Sequence, residues 1–262
     1  MRHVLTPVLA VLTAAAMTGC TGASSVTAHE AAGGAARTAA AGTMAPVIPC
    51  GQLASRDFSD VPDAPTAILA ATQAASGAVC QVTGYIAPQE QFQITLPASG
   101  YTGQYLQQGC GGLCGEDYLG SAGSGSSGPK PSAGAASAAS CTTVTAAVAA
   151  SDALAEGTDN QGHVGGETDG VWAEDDPALR VSFGYASEHA MAQAAKAIIT
   201  AYYGKPPAHS YYNGCSDGGH EALVEAQRYP RDFNGILAGA PGNIEAQLLG
   251  VVPARMPLKS RG

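Results

Sequence analysis

The stretch from residue 209 to residue 241 restricts the fold of this chain more than any other. It reads HSYYNG, a β-favouring run, then DGGHEALVEAQRYP, a helical run, then NGILAGAP, a second β-favouring run. A further helical run precedes it at 184–204. Alternation of strand and helix is typical of a parallel sheet with helices packed against it. The sequence therefore predicts an α/β fold.

The turn between the first strand and its helix has the Gly-x-Ser-x-Gly pattern, GCSDG, with Ser216 at its centre. In a nucleophile elbow the serine lies on a sharp strand-to-helix turn, and its hydroxyl points out at the carboxyl edge of the sheet. Glycines let the backbones approach where a Cβ would clash. We predict that Ser216 is a nucleophile within an elbow formed by Gly214, Cys215, Gly218 and Gly219. The alternative is a structural Gly-rich turn.

Acyl transfer by a serine also needs amide groups that stabilise the oxyanion. One donor is normally the N–H of the residue after the nucleophile, which is Asp217 here. The loop QQGCGGLCG follows a predicted strand and can supply the second donor. We favour the backbone N–H of Gly109 or Cys110. The alternative for this loop is a surface turn held by a disulfide.

The remaining elements are less sharply defined. Runs 78–86 and 91–97 alternate apolar and polar residues, which predicts a β hairpin. Run 103–116 predicts a short strand entering a Gly-rich loop, and run 141–151 another strand. Ser, Ala and Gly make up most of 120–140, which predicts a disordered or looped insertion. Helical spacing in 184–204 predicts a buried face; its members are Met191, Ala194, Ala195, Ile198, Ile199 and Tyr202. In the last helix we expect Leu223 and Ala226 to share one face.

The N-terminus has the features of an export signal. Residues 1–20 run from a basic start through an apolar segment to MTGC, which resembles a lipobox and predicts lipidation of Cys20. Simple secretion is the alternative. Residues 21–45 are rich in Ala, Gly, Ser and Thr and predict a flexible tether, with order beginning near Pro46. We expect an exported protein that touches the membrane only through its lipid.

Charge argues against a nucleic-acid partner. The chain has 262 residues and a net charge of −9, and its few Lys and Arg form no basic patch. The acidic stretch 159–176 matches no calcium loop, and we expect it to be a solvated loop. Cys110 and Cys114 lack a second pair for zinc, so we predict no metal and no cofactor. Pairing among Cys110, Cys114 and Cys141 stays open, as does the oligomeric state.

The chain resembles the tannase and feruloyl esterase family of serine esterases. The residues that carry the resemblance are YYGKPPAHSYYNGCSDGGHEALVEAQRYPRDFNGILAGAPG (202–242), with weaker support from 96–112, 162–177 and 183–198. The resemblance spans residues 46–245. It implies a partial α/β-hydrolase with a mostly parallel sheet, preceded by an N-terminal hairpin region. It also implies hydrolysis of carboxylic esters of aromatic acids.

The resemblance carries expectations for the cysteines and histidines. Cys50 and Cys80 resemble a family disulfide. In the family the Cys before the nucleophile pairs with a Cys after the catalytic His, far downstream. We therefore expect Cys215 to be a free thiol. His163 resembles a loop residue near the carboxyl edge of the sheet, and we expect it to line the site. His220 is a poor substitute base, because its helix directs it away from the pocket.

The family's catalytic Asp and His, and a lid domain that often binds calcium, also lie far downstream of the nucleophile. This chain ends about 45 residues after Ser216. We therefore expect the lid and the C-terminal part of the fold to be missing and the isolated chain to be inactive. The alternative is a non-catalytic surface lipoprotein, the remnant of such an esterase.

Overall fold

The computed structural model describes residues 42–115, 154–166 and 168–242. They contain a seven-stranded sheet with the order β1-β2-β3-β5-β4-β6-β7. The strands are β1 (Thr66–Gln73), β2 (Val79–Ile86), β3 (Glu90–Pro97), β4 (Gln104–Gln108), β5 (Leu154–Asp159), β6 (His209–Cys215) and β7 (Gly235–Gly239). Strands β1, β2, β3 and β5 pair antiparallel in that order, whereas β5, β4, β6 and β7 run parallel. The α/β fold class is confirmed.

Three α-helices accompany the sheet in the described ranges: α1 (Pro177–Val181), α2 (Ser187–Tyr203) and α3 (Asp217–Arg228). A π-helical turn, Ser182–Ala186, joins α1 to α2. Asp176 caps α1 by accepting hydrogen bonds from the amides of Ala178 and Leu179. None of the helices described in the three ranges is long and apolar enough to cross a membrane.

Several sequence predictions fall outside the described residues. They are the signal 1–20 with Cys20, the tether 21–41, the insertion 120–140, and the strand 141–151 with Cys141. The last four residues of the predicted tether are described, and Met44 within them pairs with Tyr101 in an antiparallel bridge. The ordered fold thus includes Met44 and begins slightly before Pro46.

The predicted hairpin is confirmed. Strands β2 and β3 pair antiparallel from Val79↔Pro97 to Ile86↔Glu90. Alternate residues of both strands are buried, as expected for strands with one face on the core. A disulfide joins Cys80 of β2 to Cys50, with a Cα–Cα distance of 5.6 Å. The pairing implied by the family resemblance is therefore present.

Helix α2 also follows its prediction. All six positions predicted for its buried face are buried in the core. Gly204 ends the helix in the left-handed conformation with φ 74°, where glycine carries no Cβ penalty. Near that end the ring of Tyr203 stacks on Tyr101 at 4.0 Å, and its hydroxyl donates to the Pro97 carbonyl. These contacts join α2 to the hairpin end of the sheet.

Two predictions about burial were wrong. Asp159 belongs to β5, not to a solvated loop, and it is 1% exposed. In LAEGTD the strand signal is weak, and burial comes from its central place between β3 and β4. The face of α3 expected at Leu223 and Ala226 is not the buried one, because Ala226 is exposed. The residues of α3 that are buried are Asp217, Gly218, Gly219, Glu221, Ala222 and Glu225.

Candidate active site

Ser216 lies at the junction between β6 and α3, with φ 63° and ψ −114°. This backbone conformation is rare for a residue with a side chain, and it reverses the chain within one residue. The Ser216 amide donates to the Gly239 carbonyl of β7 at 3.0 Å, and its own carbonyl accepts from Gly219 and His220. Ser216 is exposed. The structure thus has the sharp, strained turn of a nucleophile elbow.

The backbone around the elbow is packed so closely that three of its positions have no room for a Cβ. A Cβ on Gly214 would overlap the carbonyl of Gly218, and a Cβ on Gly219 would overlap the carbonyl of Gly239. A Cβ on Gly218 would lie 2.8 Å from the carbonyl oxygen of Cys110. Each contact is with backbone, which cannot move aside as a side chain can. The pattern of glycines therefore lets β6, α3 and the 109–115 loop approach closely.

The loop after β4 lies against the first turn of α3. The amide of Gly218 donates to the carbonyl oxygen of Cys110 at 2.9 Å. The amide of Gly109 already donates to the carbonyl of Asn213 at 3.0 Å, which continues the β4–β6 ladder. Of the two sequence candidates for the second oxyanion donor, this leaves Cys110. Asp217 is the first residue of α3, where amides have no acceptor within the helix.

The same loop is closed by a disulfide between Cys110 and Cys114, with a Cα–Cα distance of 5.5 Å. This settles a pairing that the sequence left open. The sulfur of Cys110 lies 2.9 Å from a carboxyl oxygen of Glu221, and that of Cys114 lies 3.2 Å from Asp217. These four side chains are close enough to share a cation, but thiolates are the metal-binding form of cysteine. Metal binding through the two cysteine sulfurs would require reduction of the disulfide.

Cys215 was expected to be a free thiol, and this is wrong. The residue is disulfide-bonded in the structure. Its partner is not Cys50, Cys80, Cys110 or Cys114, since these pair with one another. The expectation assumed that only a cysteine far downstream could reach the elbow. A disulfide nevertheless forms at the residue before Ser216.

His163 lies at the carboxyl edge of the sheet, in the loop after β5. Its ring is 2% exposed and stacks on Trp172 at 3.8 Å. Its Nε2 is 2.8 Å from the carbonyl oxygen of Leu113, and burial lowers its pKa. A neutral ring can donate one hydrogen bond to that carbonyl. His163 therefore links the loop after β5 to the 109–115 loop, and its role in lining the pocket stays a prediction.

The sequence did not predict a group of buried carboxyl side chains, one on α2 and two on α3. Glu188, Glu221 and Glu225 are 4%, 3% and 0% exposed. Glu188 lies within hydrogen-bonding reach of Glu221 and of Asp159. The available signal was Gly218, since residues three, four and seven positions after it share its side of the helix. Two of those three positions are Glu221 and Glu225.

Burial controls the ionisation of these acids. It raises the pKa of Glu221 well above the ordinary value, and repulsion from Glu188 and Asp217 raises it further. Glu188 is raised in the same way, by burial first and by Asp159 next. The pKa of Glu225 rises to about 8, mainly through burial. The inner side of α3 therefore favours protonated carboxyl groups.

Other histidines lie elsewhere. His189 on α2 hydrogen-bonds to Asp232 and stacks on Tyr229 at 4.1 Å, beyond the C-terminal end of α3. His209 begins β6, at the opposite end of that strand from Ser216. His220 follows Ser216 by one helical turn. Within the described ranges, Ser216 Oγ makes no hydrogen bond to any of these rings.

The sequence is similar to a family model and to known proteins. The sequence model of the family described as tannase and feruloyl esterase matches residues 74–256. A probable feruloyl esterase B of Aspergillus clavatus is 31% identical over 185 residues, which is 70% of this chain and 30% of the relative. A mono(2-hydroxyethyl) terephthalate hydrolase of Piscinibacter sakaiensis is 45% identical over 67 residues, 26% of this chain and 11% of the relative.

A solved structure gives the same result. An esterase from Aspergillus oryzae aligns with a TM-score of 0.50 and 26% identity, over 70% of this chain and 32% of that protein. The chain thus corresponds to no more than about a third of the length of these relatives. The family match covers well over half of the chain and includes the elbow. The chain belongs to the tannase and feruloyl esterase family.

Proposed function

We propose that this protein is a serine carboxylic ester hydrolase in which Ser216 is the nucleophile. Ser216 Oγ attacks the ester carbonyl carbon, its proton passes to a base, and a tetrahedral oxyanion forms. Collapse of this intermediate releases the alcohol and leaves an acyl group on Ser216. Water then attacks the acyl-enzyme, and the acid leaves.

One observation carries the proposal: the exposed Ser216 has φ 63° at a strand-to-helix turn, directly beside the Cys110 loop. A strained backbone at an exposed serine is hard to explain as a structural turn, because glycine would adopt it at lower cost. The amides of Asp217 and Cys110 are the proposed oxyanion donors. Each such donor contributes roughly 10²–10³ to the rate in serine hydrolases.

The substrate class rests on the relatives. One is named for feruloyl esters and another for a terephthalate ester, and both acids are aromatic. We propose that the acyl group of the substrate is likewise an aromatic acid. Methyl ferulate and the methyl ester of an aliphatic acid, which share one leaving group, test this choice. Faster hydrolysis of the aliphatic ester would contradict it.

A non-catalytic remnant of such an esterase is the second candidate. It is favoured by the side chain of Ser216, whose Oγ has no base within hydrogen-bonding distance among the described residues. Without a base a serine hydroxyl is a weak nucleophile. Such a protein would bind ester or acid ligands without turning them over.

The deciding experiment is intact mass spectrometry after treatment with a fluorophosphonate probe. The esterase proposal expects one adduct on the wild-type chain and none on Ser216→Ala. No adduct on a chain shown to be folded would contradict it and favour the second candidate.

We also propose that the protein is exported and anchored by lipid at Cys20. Two disulfides support an oxidising compartment, since such bonds rarely persist in the cytosol. Metabolic labelling with an alkyne fatty acid, compared with Cys20→Ala, tests the anchor. Equal labelling of both chains would contradict lipidation at Cys20.

A further inference from the structure

Glu221 is a buried acid on the second turn of α3, five residues after Ser216. Its Oε2 accepts a hydrogen bond from the hydroxyl of Tyr212 at 2.5 Å. Its Oε1 accepts from Nε2 of Gln161 and lies 2.9 Å from the sulfur of Cys110. One carboxyl group therefore contacts β6, the loop after β5 and the loop after β4.

Each contacted segment leads to a part of the candidate site. Tyr212 lies on β6, four residues before Ser216. Gln161 is two residues before His163, whose ring holds the Leu113 carbonyl. Cys110 is the remaining candidate for the second oxyanion donor. A shift of the Glu221 side chain would therefore move the nucleophile and that donor relative to one another.

Space around Glu221 is tight. A Cβ added to Gly109 would overlap both the Glu221 carboxyl group and the hydroxyl of Tyr212. The 109–110 backbone thus packs directly on this hydrogen bond. The conformation of the loop depends on where the carboxyl group lies.

Burial and the neighbouring charges favour the protonated form of Glu221, and the hydrogen bond from Tyr212 acts in the opposite direction on its pKa. Either form of the carboxyl group can accept from Tyr212 and Gln161. The charged or titratable groups that face Glu221 are Glu188 of α2, Asp217 of α3, Asp159 of β5 and Tyr212 of β6. None of these groups is basic, and the Cys110–Cys114 disulfide does not titrate. Ionisation of Glu221 would place one more negative charge among acids.

We propose that Glu221 is a positioning residue, which holds the loop after β4 and the end of β6 against α3 so that the Cys110 amide faces the oxyanion above Ser216. This role rests on the proposed function, because it concerns the oxyanion of that reaction. Glu221 itself does not touch the substrate.

Two substitutions test the role. Glu221→Gln keeps the shape of the side chain and stays neutral at every pH. Its NH2 group can donate to the hydroxyl of Tyr212, and its carbonyl can accept from Gln161. Glu221→Ala removes both contacts. We expect Ala to slow fluorophosphonate labelling of Ser216 by about 10–100-fold, less than the roughly 10²–10³ lost with an oxyanion donor. We expect Gln to stay within about threefold of wild type.

The pH profile separates positioning from general stability. Wild-type labelling should decline at alkaline pH as Glu221 ionises, and Glu221→Gln should lack this decline. Glu225→Gln is the matched control, because Glu225 is a buried acid on the same helix whose carboxyl oxygens make no hydrogen bond to any described residue. Tyr212→Phe removes the hydrogen bond from the Tyr212 hydroxyl to Glu221 with little change in volume. It replaces Glu221→Ala as the test variant if that variant does not fold.

Hydrogen exchange gives a readout that does not need a reactive serine. We expect the amides of residues 109–115 to lose protection in Glu221→Ala and Tyr212→Phe but to keep it in Glu221→Gln. If wild type fails to label but this exchange pattern holds, the proposed function fails, whereas the contacts by which Glu221 holds the loop after β4 against α3 are supported. The positioning role would be overturned if Glu221→Ala and Tyr212→Phe both left the protection of amides 109–115 unchanged. It would also be overturned if Glu221→Gln lost as much protection as Glu221→Ala.

Discussion

The carbonyl oxygen of Cys110 accepts a hydrogen bond of 2.9 Å from the amide of Gly218. This bond joins the loop after β4 to the first turn of the helix that follows Ser216. It fixes the orientation of the Cys110 peptide on its carbonyl side. The next peptide group toward the N-terminus contains the amide proposed to stabilise the oxyanion.

Gly218→Ala should break this arrangement. The added Cβ would lie 2.8 Å from the Cys110 carbonyl oxygen, so the loop must move away from α3. We expect a loss of about 1–3 kcal/mol in the free energy of unfolding, typical of overpacking. Ser216 labelling should slow as well. Urea denaturation and probe kinetics measure the two effects.

Gly184→Ala is the matched control for this substitution. A Cβ on Gly184 meets nothing within 4 Å, and the residue lies in a helical turn. We expect Gly184→Ala to be neutral or slightly stabilising. If both variants lost the same stability, the contact between the loop and α3 would not explain the result.

Ser216→Gly should stabilise the protein while it removes the nucleophile. At φ 63° and ψ −114° a serine is strained, and glycine adopts this region without a Cβ penalty. We expect a gain of about 1 kcal/mol or more in the free energy of unfolding, although glycine also adds entropy to the unfolded chain. Ser216→Ala removes the hydroxyl but keeps the Cβ, so it should not give this gain. A Gly variant no more stable than the Ala variant would contradict the strain.

Stability should decrease as pH rises, because buried acids have raised pKa values. For Glu225, whose folded-state pKa is about 8, the contribution is full below the unfolded pKa near 4.5. It is lost as pH rises through the folded value, at about 1.4 kcal/mol per pH unit within that window. We expect a lower melting temperature at pH 8 than at pH 5, and a smaller difference in Glu225→Gln. The same slope in the variant would argue against ionisation of Glu225.

Asp232→Asn should lower the pKa of His189. Its hydrogen bond to Asp232 is the main reason that this pKa is raised, and burial opposes it. The stability that the pair provides is present below the unfolded pKa of histidine and is lost as pH rises through the folded value. NMR titration of the His189 ring in both chains measures the shift. An unchanged His189 pKa in Asp232→Asn would contradict this effect of Asp232.

The sequence predicted the segment from β6 to β7 well, because its signals are geometric. Gly214 and Gly218 mark close backbone approach, and only a few folds place a serine between them in this way. The hairpin and α2 were also predictable, since each shows an apolar period matched to its structure. In these segments local pattern and tertiary packing agree.

The buried acids could not be predicted in the same way. Patterning treats Glu and Asp as solvent-facing, so Glu221 and Glu225 directed attention to the other side of α3. Asp159 was misplaced for the same reason, since β5 is central in the sheet although its sequence is polar. Burial here depends on neighbours distant in sequence, such as Glu188 and Cys110, which a local pattern does not contain. The disulfide at Cys215 is non-local in the same sense.

The place of β4 in the sheet has a consequence for synthesis. Its parallel neighbour β6 ends at Cys215, 107 residues after β4 ends at Gln108. At about 5–20 residues per second, translation completes β6 roughly 5–20 s after β4. Tyr105 and Leu106, both buried in the finished fold, stay without that neighbour during this time. The edge of β4 that β6 later covers is therefore unpaired for seconds while the rest of the chain is made.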